Sequence, residues 1–145
     1  MHNFKERTTE VGRKVEMSGK VSRYLQLAKN VAYNSTYGKL RHGAVLVKGG
    51  SVLNTSFNKD SFTSFGNRFR DHGRGPATVH AEIGSVLGLA RETTTGSDVY
   101  VCRINREGQF RNSKPCSMCH EVLRHVGIKR VYYTTSENTI EMYKI

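Results

Sequence analysis

Near its C-terminal end the chain sets two strand-like runs, Lys129–Thr134 and Thr139–Tyr143, only about four residues apart. A parallel crossover needs roughly a dozen residues or more, so the last strand is expected to return antiparallel to the one before it. That short connection excludes any sheet that is parallel throughout. It also leaves no room for a helix between the final two strands.

The rest of the chain alternates. Val21, Tyr24, Leu25, Ala28, Val31 and Ala32 recur at three- and four-residue spacings, which predicts an amphipathic helix over Lys20–Asn34. Ser18 or Ser22 is placed to cap it and Gly38 to stop it. Ala44–Val47 and Ser51–Phe57 read as strands joined by Lys48-Gly49-Gly50, a turn that glycine makes without a Cβ penalty. Residues 58–78 carry glycines, a proline and no period, and a loop that long in a small domain is usually functional. A second helix is expected over Thr78–Arg91, a strand over Asp98–Arg103, and a third helix over Cys116–His125, just after Pro115. The fold class is therefore α/β: a three-layer sandwich around one mixed five-stranded sheet, its fifth strand antiparallel to the fourth.

At 145 residues the chain has room for one domain, divided here into a basic N-terminal arm (1–19) and a domain over 20–145. The arm has little periodicity and suits an extended segment or a short accessory helix. Lys and Arg number 23 against 12 Asp and Glu, a balance of +11. Such charge attracts phosphates, polynucleotides or anionic membranes without choosing among them. No run approaches the roughly 20 apolar residues that span a bilayer, and residues 1–14 lack the apolar region of a secretory signal, so a cytoplasmic location is the expectation. Three cysteines do not make a disulfide framework. Cys102 ends an apolar run and reads as an ordinary buried thiol.

The chemistry lies at two predicted helix starts. His80-Ala81-Glu82 opens one, and Pro115-Cys116-Ser117-Met118-Cys119 opens the other. Thiols three positions apart on a first helical turn share a face, and helix N-termini favour thiolates. One imidazole and two thiolates supply three ligands of a zinc tetrahedron and leave the fourth for water, the ligand count of a catalytic site. Glu82 need not be a ligand and is placed to move a proton to and from that water. Zinc lowers the pKa of its water towards neutrality, which suits hydrolysis of an amidine-like carbon. The competing readings are a structural zinc knuckle, for which no second cysteine pair exists, and a zinc-stabilised binding module without turnover. His42 and His72 flank the presumed pocket, whereas His120 and His125 read as surface or packing residues.

The order His-x-Glu then Pro-Cys-x-x-Cys resembles that of zinc nucleobase deaminases. With Arg41-His42-Gly43-Ala44-Val45-Leu46-Val47, Gly50 and Asn58 as the opening hairpin, the chain resembles the cytidine and deoxycytidylate deaminase superfamily from about residue 20 onward. The resemblance implies His80, Cys116 and Cys119 as zinc ligands and Glu82 as the proton shuttle. It further implies that Asn58 contacts the sugar or base, that the N–H groups of Ala81 and Cys116 face the base, and that the Lys114 carbonyl accepts from the leaving amine. Position 114 often holds a small residue in the family, and the lysine here departs from that pattern. The antiparallel ending resembles the free-cytidine deaminases; deoxycytidylate, tRNA and polynucleotide members usually have a parallel fifth strand. The expected substrate is thus cytosine in a free nucleoside or nucleotide, with Arg68, Arg70 and Arg74 of the basic loop as candidates for a phosphate. The alternative is a polynucleotide deaminase acting on single-stranded DNA or RNA, or on adenosine in tRNA; Phe57, Phe62, Phe65 and Phe69 are its stacking candidates. A homo-oligomer is a family expectation.

Overall fold

A computed structural model describes residues 10–35, 40–62 and 78–145. The five expected strands are all present in one sheet: β2 (Arg41–Lys48), β3 (Ser51–Phe57), β6 (Asp98–Ile104), β8 (Arg130–Thr134) and β9 (Ile140–Lys144). Two short strands join them, β1 (Arg13–Val15) and β7 (Phe110–Arg111), giving seven strands in the order β1-β9-β8-β6-β2-β3 with β7 beside β6. β6 and β8 are parallel, and β9 returns antiparallel to β8, as the short connection requires. A separate ribbon pairs β4 (Lys59–Phe62) with β5 (Thr78–Val79) at the two ends of the expected 58–78 loop.

Period-two alternation divides the core. Ala44, Leu46, Val99, Val101, Val131 and Tyr133 face one layer, formed by helices α2 (Ala81–Val86) and α4 (Ser117–His125). Val45, Val47, Tyr100, Cys102 and Tyr132 face the other, where α1 (Gly19–Ala32) buries Tyr24, Leu25, Ala28 and Ala32. The rings of Tyr100 and Tyr132, register partners on β6 and β8, stack with centroids 4.3 Å apart. Cys102 is buried as expected, and desolvation pushes its thiol up to about 12, which leaves it inert.

One expected helix is corrected in length. The helix predicted over 78–91 spans only Ala81–Val86, because residues 78–79 pair with β4 and Gly88, at φ +77°, turns the chain out. A short helix, α3 (Arg91–Thr94), follows. The polar stretch before Pro115 contains a hairpin: Asn105 Oδ1 accepts from the N–H groups of Glu107 and Gln109, and Gly108 turns at φ +80° so that β7 can pair with β6. Among the described residues of the arm the extended alternative is seen, as β1: Val15 packs on the α1 face while the main chain pairs with β9. Ser18 is the α1 N-cap residue without a side-chain cap bond. Gly38 lies outside the described residues. No described helix is long and apolar enough to cross a membrane.

Close approach of α1 to the sheet depends on Gly43. A Cβ there would strike the Ala28 carbonyl oxygen and lie 2.7 Å from the Ala32 nitrogen. Both obstacles are backbone, so no side chain can rotate away. Gly43→Ala is expected to cost about 2–3 kcal/mol, a fall of roughly 4–12 °C in Tm, read by thermal denaturation. A Tm within 2 °C of the parent would show that α1 can slide on the sheet.

Candidate active site

Two of the three expected ligands occupy equivalent places. His80 is the N-cap of α2 and Cys116 the N-cap of α4, both with extended backbone, while Cys119 lies one turn into α4. α2 leads through α3 into β6 and α4 leads into β8, and because β6 and β8 are parallel both helices start at the same end of the sheet. His80 Nδ1 is 3.2 Å from Cys119 Sγ and 3.9 Å from Cys116 Sγ. All three donor atoms lie within 4.8 Å of one another. A zinc tetrahedron with two sulfur ligands and one nitrogen ligand has edges of about 3.5–3.8 Å. The donor set fits zinc in chemistry and in spacing.

The thiols are electrostatically unlike. A hydrogen bond from Cys119, opposed by burial and reinforced by His80, pushes Cys116 down to about 4. Cys119 is pushed up by the hydrogen bond it gives Cys116, by full burial, and by the charge and hydrogen bond of Glu82. A dication taking both sulfurs therefore displaces a proton. Glu82 is 4% exposed and close enough to Cys119 and Tyr143 for its charge to raise both groups. The carboxyl thus sits beside the donor cluster rather than within it.

Backbone anchors hold this geometry. The Ser85 hydroxyl donates to the Glu82 carbonyl at 2.6 Å, and Asn54 Nδ2 donates to the Ser85 carbonyl at 3.0 Å, tying α2 to β3. Ser113, fully buried, donates from its hydroxyl to the Val101 carbonyl at 2.9 Å and accepts from the Thr134 N–H at 2.7 Å. That clamp between β6 and β8 fixes the approach to Pro115 and Cys116. Ser113 was not singled out from the sequence; its position two residues before Pro115 was the available signal. Tyr143 and His120 were also missed as a pair: their polar atoms are 3.2 Å apart against the inner side of α4.

The other predicted site residues are distributed less simply. Asn58 donates from Nδ2 to the Leu40 carbonyl at 2.8 Å and accepts at Oδ1 from the His42 N–H at 2.9 Å. Its side chain clamps the start of β2, and each polar atom keeps capacity for one more bond. Ala81 is buried in the first turn of α2. Lys114 donates its N–H to Asn112 Oδ1 at 3.0 Å and lines an open pocket with Tyr133, Thr135 and Glu141. His125 is exposed beside Arg91. Arg68, Arg70, Arg74, His72, Phe65 and Phe69 lie outside the described residues, as does the side chain of Phe62.

The family model described as the cytidine and deoxycytidylate deaminase zinc-binding region matches residues 18–135. Among solved structures, the chain is similar to dCMP deaminase from the cyanophage S-TIM5 at 23% identity and a TM-score of 0.55, covering 80% of this chain and 82% of that one. It is similar to cytidine deaminase from Mycobacterium tuberculosis at 21% identity and a TM-score of 0.51, covering 84% and 89% respectively. Acinetobacter baumannii RibD aligns at 18% identity and a TM-score of 0.52 over 80% of this chain, which spans only 28% of that longer one. These likenesses show the fold. A search of curated proteins found no match.

Proposed function

The chain belongs to the cytidine and deoxycytidylate deaminase family, a zinc-binding family, and from that premise we propose that it hydrolyses cytosine to uracil and ammonia in a free nucleoside or nucleotide. The observation that carries the reading is a buried carboxyl, Glu82, beside a His80–Cys116–Cys119 cluster whose donors lie within 4.8 Å of one another. Zinc, when bound by those three residues, supplies a water whose pKa is lowered towards neutrality. Glu82 moves two protons in turn, one to the ring nitrogen as a water oxygen bonds to the carbon bearing the amine, and the second to that amine, so that the C–N bond breaks and ammonia leaves. The N–H groups at the starts of α2 and α4, those of Ala81 and Cys116, orient the base. Asn58 uses its remaining capacity on the sugar or base, and the Lys114 carbonyl receives the amine. Arg68, Arg70 and Arg74 of the basic loop contact the phosphate when the substrate is a nucleotide.

The antiparallel β8–β9 ending favours a free substrate over a polymer, through the likeness to free-cytidine deaminases. The homo-oligomer is proposed on the family likeness alone. Release of ammonia should be measured from cytidine, deoxycytidine, their monophosphates, adenosine and single-stranded oligonucleotides. The expected result is turnover of at least one small cytosine compound by zinc-loaded protein. Turnover confined to oligonucleotides would replace this reading with the polynucleotide one, and stoichiometric nucleic-acid binding without any turnover would replace both.

A further inference from the structure

One residue of α4 is joined to both thiol-bearing positions. His120 follows Cys119 in the chain, and its N–H donates to the Cys116 carbonyl at 2.9 Å, the bond by which an N-cap residue opens its helix. A push on His120 therefore reaches one sulfur through a peptide bond and the other through a main-chain hydrogen bond. Its side chain is buried and turned toward β9, where Nδ1 stands 3.2 Å from the hydroxyl of Tyr143. The two rings have centroids 5.6 Å apart. Tyr143 is itself buried, in the same cluster as Ala81, Cys116 and Cys119. Neither His120 nor Tyr143 belongs to the donor set.

His120 Nε2 faces the Glu10 carboxylate, 3.8 Å away. That charge draws the ring proton to Nε2 and leaves Nδ1 to accept from the Tyr143 hydroxyl. The last strand thus bears on the turn that holds both sulfurs, while the Ser113 clamp fixes the approach to that turn from the other side. Three donors within 4.8 Å of one another, on two separate helices, tolerate little drift of α4 against α2. We propose that Tyr143 is a positioning residue for the metal centre: through His120 its hydroxyl holds the first turn of α4 where the Cys116 and Cys119 sulfurs meet the His80 imidazole. The inference rests on the zinc-ligand assignment and adds to it a residue on another strand. Partners that orient metal ligands from outside the donor set are commonly worth about ten- to a hundredfold in metal affinity or activity. The Tyr143 ring also packs near that of Tyr133, with centroids 6.1 Å apart. A phenylalanine keeps that packing and removes the hydroxyl alone.

The test compares the full-length parent with Tyr143→Phe, His120→Leu, His120→Asn and the double variant of Tyr143→Phe with His120→Leu. An asparagine sets an amide oxygen near the place of Nδ1 and so keeps an acceptor. Zinc affinity is measured by chelator competition, and the thiolate-to-cobalt charge-transfer band is recorded on cobalt-loaded chains. Melting without metal, and kcat and KM on the cytosine compound that the parent turns over, complete the set. Tyr143→Phe is expected to weaken zinc binding about tenfold, shift the cobalt band and lower kcat with KM within about twofold of the parent. His120→Leu should do the same, the double variant no worse, and His120→Asn should keep most of the affinity. If Tyr143→Phe does not fold, the two His120 variants decide. Parental zinc affinity and cobalt band in Tyr143→Phe overturn the inference, even where the metal-free Tm falls, because the bond then serves stability alone. A fall in kcat at parental zinc affinity overturns it too, placing the action of the hydroxyl on Glu82 or the substrate. A parent that binds no zinc, or a Cys119→Ser chain that binds it as tightly, overturns the ligand assignment beneath it. Turnover of no cytosine compound overturns the deaminase reading, and the zinc and cobalt measurements still decide the role of Tyr143.

Discussion

Glu82→Gln is expected to lower kcat on the preferred cytosine substrate by roughly a thousandfold while one zinc stays bound per chain. The carboxyl is 4% exposed and lies beside Cys119, yet the three donor atoms of the cluster belong to other residues. An amide of the same size preserves the packing at the start of α2 and the bond from Ser85 to the main chain of residue 82. What it removes is the ability to hold a proton between the water and the leaving amine. Ammonia release, metal analysis and a melting curve on the same preparation check the three parts together. Activity within tenfold of the parent would mean that another group carries the proton. Loss of zinc would mean that the carboxylate is a ligand.

Cys119→Ser is expected to abolish activity, lose zinc and lower Tm. Cys119 is fully buried, and its sulfur stands 3.2 Å from His80 Nδ1. A serine hydroxyl is a poor zinc ligand, so the ion would be left with two protein donors. Zinc binds the folded chain alone, because residues 80 and 116 meet only once the two helix starts are packed together. At a thousand times Kd such binding stabilises by about 4 kcal/mol, equivalent to roughly 8–16 °C in Tm for a domain of this size. A chelator should destabilise the parent by a similar amount and leave the Cys119→Ser chain unaffected. Equal effects of the chelator on both proteins would contradict the ligand assignment.

The donor set was legible in the sequence because its chemistry demands fixed residue types at fixed spacing: two thiols one turn apart, an imidazole, and a carboxyl two residues from that imidazole. The antiparallel ending was legible for a reason of length alone. What escaped depends on main-chain pairing or on register. β1 and β7 are two or three residues long and are held by partners far along the chain, so no periodicity announces them. Gly88 ended α2 early although the apolar spacing continued past it. The bonds of Asn58 to the main chain at Leu40 and His42 depend on the pairing of β2 with β3, which the sequence around residue 58 does not encode locally.

Zinc-edge X-ray absorption on the purified protein tests the central claim most directly. Ligation by His80, Cys116 and Cys119 predicts two sulfur scatterers at about 2.3 Å and two lighter nitrogen or oxygen scatterers at about 2.0–2.1 Å, one of them an imidazole and the other exchangeable with added small anions. A shell of three or four sulfurs, or four protein ligands with nothing exchangeable, would contradict a hydrolytic centre at the tips of α2 and α4.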